Sequence, residues 1–163
     1  MKTTLSLLVA IAFAAGAISI RAQLRDHKFD QYAVPVYHGR AANPNFKSLQ
    51  GSLAYKTRIR DGFKGGVNFA GHCAMVIFGC GTDCISGFLI DIRSGGIFDL
   101  PLGGEDNYSL ALNYRPNSRL LKAHWTDDMD KDKPSCVYQE FVLTGSAFKS
   151  LSKTKTPGKE CEN

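Results

Sequence analysis

The stretch VNFAGHCAMVIFGCGTDCISGFLID, from Val67 to Asp91, decides how this chain folds. A polar segment, Asn68-Phe69-Ala70-Gly71-His72, leads into an apolar run from Cys73 to Phe78. A Gly-rich loop, Cys80-Gly81-Thr82-Asp83-Cys84, then turns the chain into a second apolar run, Gly87 to Ile92. The first run is apolar at consecutive positions and short, the pattern of a strand buried on both faces, and it is expected to be a central one. The loop supplies the turn residues a hairpin needs.

Downstream, strand chemistry continues. Arg93-Ser94-Gly95-Gly96 turns the chain into Ile97 to Leu100, and Gly103 to Asn107 reads as a loop. Tyr108 to Tyr114 and Arg119 to Trp125 flank the turn Arg115-Pro116-Asn117-Ser118. Cys136 to Leu143 and Ala147 to Ser152 flank Thr144-Gly145-Ser146, and the polar tail from Lys153 is expected to fray unless Cys161 ties it down. Upstream, Tyr32 to Tyr37 alternates like an edge strand, the only strand position that tolerates Pro35. Ser52 to Lys64 carries Tyr55, Ile59 and Phe63 on one helical face, with Ser52 as N-cap and Gly65-Gly66 as the stop. The expected fold is α+β and β-dominant: an antiparallel meander of successive hairpins, a curved sheet or small sandwich, with one N-terminal helix. The hairpins are too few for a closed propeller.

The chain of 163 residues suits one domain with a continuous core. Lys2 followed by the apolar run Leu5 to Ala17 reads as a secretory signal, too short to span a bilayer. Cleavage after Ala17 or after Ala22 fits the small-residue rule, and the shift in composition favours Ala22. Residues 1–22 are thus the expected signal and 23–163 a single β-rich domain, periplasmic or secreted. Cleavage removes Lys2 and Arg21, leaving 18 basic against 15 acidic residues, a net charge of +3. The basic residues are scattered, without the stripe that nucleic acid requires.

In an oxidising compartment the five cysteines are expected to form two bridges and leave one thiol. Cys80 and Cys84 bracket a tight loop, and Cys136 and Cys161 are left to tie the C-terminus. Pairing Cys73 with Cys80 fails because a strand would hold them roughly 23 Å apart. Cys73 is then a free thiol packed as a small hydrophobe.

Three constellations bear on chemistry. His72, with Asn68 and a carboxylate such as Asp83 or Asp91, has the residue types of an acid–base site. The bland alternative has His72 bonding a loop carbonyl and Asn68 bracing a turn, and on a strand His72 and Cys73 would point apart. The Cys80–Cys84 loop lacks the Cys-x-x-Cys of a redox motif and the further ligands of a zinc site. It offers instead a rigid tip bearing Thr82 and Asp83, suited to a partner's cleft because little entropy is lost on binding. Asp128-x-Asp130-x-Asp132 opens like a calcium loop, but Lys133 stands where Gly is needed and Gln139 where Glu is needed. His27, His38 and His124 show no metal spacing, and neither a metal nor a cofactor is expected.

The central stretch resembles a group of small exported bacterial proteins of uncharacterised function. The resemblance lies in Asn68-Phe69-Ala70-Gly71-His72, Gly79-Cys80-Gly81-Thr82-x-Cys84 and Ile90-Asp91. It implies an exported address and no particular activity. Cys73 departs from the group, where an aromatic residue follows the His. More loosely, strand, clipped loop and strand together are similar to periplasmic lysozyme inhibitors, which present such a loop to an enzyme's cleft. The leading expectation is an exported, non-enzymatic binding domain for a protein or cell-envelope component, an inhibitor or an envelope-interaction protein. The alternatives are a small periplasmic hydrolase built on His72 and a structural envelope protein.

Overall fold

The computed structural model describes residues 26–49, 53–127, 133–158 and 161. The expected signal segment, Ser52 and the Asp128–Asp132 motif lie outside them. The fold is α+β and β-dominant, with two antiparallel sheets that do not close into a barrel. The first sheet holds β1 (Cys73–Gly81), β2 (Cys84–Asp91) and β3 (Ile97–Asp99) in that order. The second holds β4 (Tyr108–Asn113), β5 (Leu120–Asp127), β6 (Ser135–Thr144) and β7 (Ala147–Pro157), also in chain order. A 3-10 turn, Leu53–Tyr55, leads into the helix α1 (Lys56–Phe63).

Alternation along β1 and β2 explains why this sheet lies between two other layers. Cys73 and Met75 of β1, with Leu89 of β2, pack against Leu121, Phe141 and Leu143 of the second sheet. Ala74 and Val76, with Phe88 and Ile90, pack on the opposite face around Ile59 of α1. Ile59 is fully buried, and Tyr55 and Phe63 flank it on the same helical face, as their spacing requires. Burying Ile59 alone stabilises the fold by about 2 kcal/mol. The helix comes so close to β1 that a Cβ on Gly62 would fall 2.5 Å from Val76. A third cluster of Leu110, Ala123, Trp125 and Val137 fills the second sheet near β4.

Several elements differ from expectation. β1 is buried on both faces, yet it is an edge strand and β2 is the central one. Residues 32–37 form no strand. Ala33 makes one bridge to Ser118, Val34 N–H donates to Asn117 and Tyr37 N–H to Gly71, because Pro35 has no N–H to continue a ladder. β7 does not stop at Ser152 but pairs with β6 as far as Pro157. Its alternating Lys and Thr residues, Lys153 to Thr156, suit an exposed edge and blunt it against further pairing.

The disulfides join Cys80 to Cys84 and Cys136 to Cys161, with Cα separations of 5.2 and 5.3 Å. Cys73 is free and buried. The described residues contain no helix long and apolar enough to cross a membrane. Both features are compatible with an exported protein.

Candidate functional sites at the two ends of the first hairpin

The β1–β2 ladder runs from the Cys73–Asp91 pair at one end to the Gly81–Cys84 pair at the other. The residues singled out from the sequence divide between these ends. His72 and Asp91 stand at the first, and Thr82 and Asp83 at the second. Asn68 belongs to neither.

Asn68 lies beside the outer edge of β1. Its side-chain amide donates to Met75 C=O at 2.9 Å, and its carbonyl oxygen accepts from Met75 N–H at 2.6 Å. One planar amide thus replaces the neighbouring strand that β1 lacks on this side and satisfies both edge groups of Met75. That is a bracing role.

The turn that carries His72 is narrow. Phe69 and Cys73 exchange backbone hydrogen bonds at 2.9 and 3.0 Å, leaving Ala70, Gly71 and His72 as the loop. Ala70 (φ 51°) and Gly71 (φ 75°) both occupy the left-handed region. A Cβ at Gly71 would fall 2.3 Å from the Pro35 carbonyl, so the position accepts no larger residue. β1 begins at Cys73, which leaves His72 in the turn that precedes the strand. Both line one cleft of about 310 Å³ between the sheets, together with Asp91, Arg93 and Arg119.

The electrostatics of this cleft are specific. Burial, helped by the Arg93 charge, lowers the His72 pKa, outweighing Asp91 and the Ala70 carbonyl, and so favours the neutral imidazole. Burial would raise the Asp91 pKa, but the backbone N–H and guanidinium of Arg93 hold it below the usual carboxylate range. His72 Nε2 stands 3.9 Å from Asp91 Oδ2, too far for a hydrogen bond. Burial, with a smaller contribution from Asp91, pushes the Cys73 thiol up to about 12. A thiol with that pKa is no nucleophile at neutral pH.

At the opposite end, Gly79 faces Ile85 and Gly81 faces Cys84, so Cys80 is the extra residue of a β-bulge. Residues 79–83 are exposed while Cys84 is buried. The tip is braced from two sides. Arg58 of α1 donates to Gly79 C=O at 3.0 Å and lies over the Phe78 ring. From β4, Tyr108 Oη donates to Asp83 Oδ2 at 2.8 Å and Ser109 N–H to Asp83 C=O at 2.9 Å. Asp83 and Ser109 both have positive φ, 52° and 53°. Neither is glycine, and such backbone strain persists only where the surroundings hold it. A groove of about 410 Å³ runs beneath the tip, between Asp83 and Leu110.

Tyr108, Arg58, Arg93 and Arg119 were not singled out from the sequence. Arg58 reads there as an exposed helix charge, and nothing local links Tyr108 to a loop 25 positions earlier. Comparison of the chain with protein-family models, curated proteins and solved structures found no match.

Proposed function

We propose that this is an exported, non-enzymatic binding domain whose working element is the tip at Cys80–Cys84. One observation carries the reading: exposed residues 79–83 are locked by a disulfide and also held by Arg58 from the helix and Tyr108 from the second sheet. Such an element has little freedom left to lose, so its contacts convert into affinity with a small entropic cost. Asp83 and Thr82 are the side chains it presents. The partner is a protein or cell-envelope component. The likeness to periplasmic lysozyme inhibitors makes a hydrolase cleft the first surface to try.

The test is affinity capture from periplasmic and host extracts with the oxidised protein and two tip variants, Asp83→Asn and Cys80→Ser/Cys84→Ser. The proposal expects a partner held by the parent and lost by both variants. Capture that is indifferent to both variants would make the tip scaffold. The rival hydrolase reading has one observation in its favour, the meeting of His72 and Asp91 in a cleft. Against it, Asn68 is committed to β1, Asp83 lies at the far end of the ladder, and the Cys73 thiol stays protonated.

A further inference from the structure

We propose that the cleft at the His72 end is a binding site for a small monocarboxylate carrying an apolar group. Its volume, about 310 Å³, lies at the small-ligand end of the range for ligand pockets. Its floor is apolar, built by Leu89, Phe98 and Leu143, and its rim is charged.

The charges around that rim are not balanced from within. Asp91 is engaged by Arg93, whose backbone N–H donates to Oδ1 at 2.8 Å and whose guanidinium reaches both oxygens at 3.4 Å. Arg119 gives one donor, Nη1, to the Leu143 carbonyl at 3.1 Å. Among the described residues no carboxylate lies within 4 Å of Arg119. A half-buried guanidinium without a counter-ion is an anion site, and its planar fork matches a carboxylate. With Arg93 answered by Asp91, the Arg119 guanidinium leaves the cleft with one positive charge in excess. That suits a monoanion and disfavours a phosphate dianion or an amine. His72 lines the same cleft and bounds the space the ligand would fill. The apolar floor then takes the remainder of the ligand.

Site and tip lie at opposite ends of the β1–β2 ladder, so the two proposals stand or fall separately. The experiment is an amide-shift NMR titration of the oxidised protein with phenylacetate, alongside acetate, inorganic phosphate and phenethylamine. Phenylacetate is expected to give saturable shifts at His72, Gly145 and Ser146 with a Kd of about 1 mM or below. Acetate should bind at least roughly tenfold more weakly because it leaves the floor empty. Phosphate and phenethylamine should not saturate the same amides. Arg119→Gln should weaken phenylacetate by roughly tenfold or more. Ser146→Trp, on the exposed turn at the rim, should block the cleft without touching the Arg119–Leu143 bond, and it carries the test if Arg119→Gln fails to fold. Unsaturable phenylacetate shifts, equal binding of phenethylamine or phosphate, or unchanged affinity in the folded variants would overturn the proposal.

Discussion

The Tyr108 hydroxyl donates to the Asp83 carboxylate at 2.8 Å, tying the hairpin tip of one sheet to the first strand of the other. The same two segments meet again through their backbones, at Ser109 N–H and Asp83 C=O. Residues 25 positions apart therefore fix the geometry of a loop whose ends are already clipped by a disulfide.

Substitutions at Asp83 separate charge from backbone. Its φ of 52° is a conformation Asn accepts and Ala resists. Asp83→Asn should keep stability within about 0.5 kcal/mol of the parent while weakening partner capture. Asp83→Ala should weaken capture as well and lose about 1 kcal/mol through the backbone. Urea denaturation beside the capture assay reads both quantities. Equal stability of the Ala and Asn variants would remove the claim of backbone strain.

The Asn68 amide serves Met75 as donor and acceptor at once, so neither half is dispensable. Asn68→Ala should cost about 2 kcal/mol by leaving two edge groups unanswered. Asn68→Asp should do no better, since a carboxylate oxygen would then face the Met75 carbonyl. Thermal unfolding checks both. An Asp variant close to the parent would mean that Asn68 does not brace the edge of β1.

How much of this was legible in the sequence depends on the range of the interaction. The face made by Tyr55, Ile59 and Phe63 and the β1–β2 hairpin are local patterns that periodicity and turn chemistry reveal. The α-helix nonetheless begins only at Lys56, after a 3-10 turn, and the paired strands reach Gly81 and Cys84. Asn68 read as a possible partner of His72 because adjacency in sequence does not reveal which edge of a strand will be left unpaired. Residues 32–37 alternated like a strand, but a single Pro35 outweighed the alternation. The division into two sheets stays open in the sequence, between a curved sheet and a small sandwich. Successive hairpins look alike whether they continue one sheet or start another, and only side-chain packing between Met75, Leu89 and Leu143 decides it.

The two disulfides should contribute unequally, because chain-entropy gain grows with the loop enclosed. The Cys136–Cys161 bridge spans 25 positions and Cys80–Cys84 only 4. Removing the first as a double Ser variant should cost about 3.5 kcal/mol, and removing the second about 2 kcal/mol. Comparing urea midpoints at constant slope measures the difference. The reverse order would show that the tip bridge holds more than its own loop.

Glu140 offers a test on the outer face of the second sheet. It accepts from His27 at 2.5 Å and Ser152 at 2.9 Å and pairs with Lys122 at 3.1 Å. Burial alone would raise its pKa, but these three partners lower it. A carboxylate with a depressed folded pKa stabilises above its unfolded value of 4.5, and the contribution is lost as pH falls through the folded one. Glu140→Gln should cost about 2 kcal/mol at pH 7, below the figure for a fully enclosed pair, because His27 and Lys122 retain some access to water. The gap between parent and variant should close in acid. A gap independent of pH would mean that packing, not charge, holds this site.

Cys73 makes the complementary prediction in alkali. Cys73 is 2% exposed between the sheets, and burial lifts its thiol pKa from 9.0 to about 12. The folded state therefore holds the proton more tightly than the unfolded chain does. Stability from this source is fully present below pH 9 and is lost as pH rises from about 9 to about 12. At pH 10.5, about one and a half pH units into that window, the loss should be about 2 kcal/mol. Tyr114, whose pKa burial also raises, contributes in the same direction, so the parent must be compared with Cys73→Ala. The stability difference between the two should shift by that amount between pH 8 and pH 10.5, read from the ratio of folding to unfolding rates in urea before thiol–disulfide exchange sets in. Iodoacetamide should label Cys73 only after unfolding. Rapid labelling of the native protein at pH 8 would place the thiol in contact with solvent and remove both the alkaline window and the argument that the cleft lacks a nucleophile.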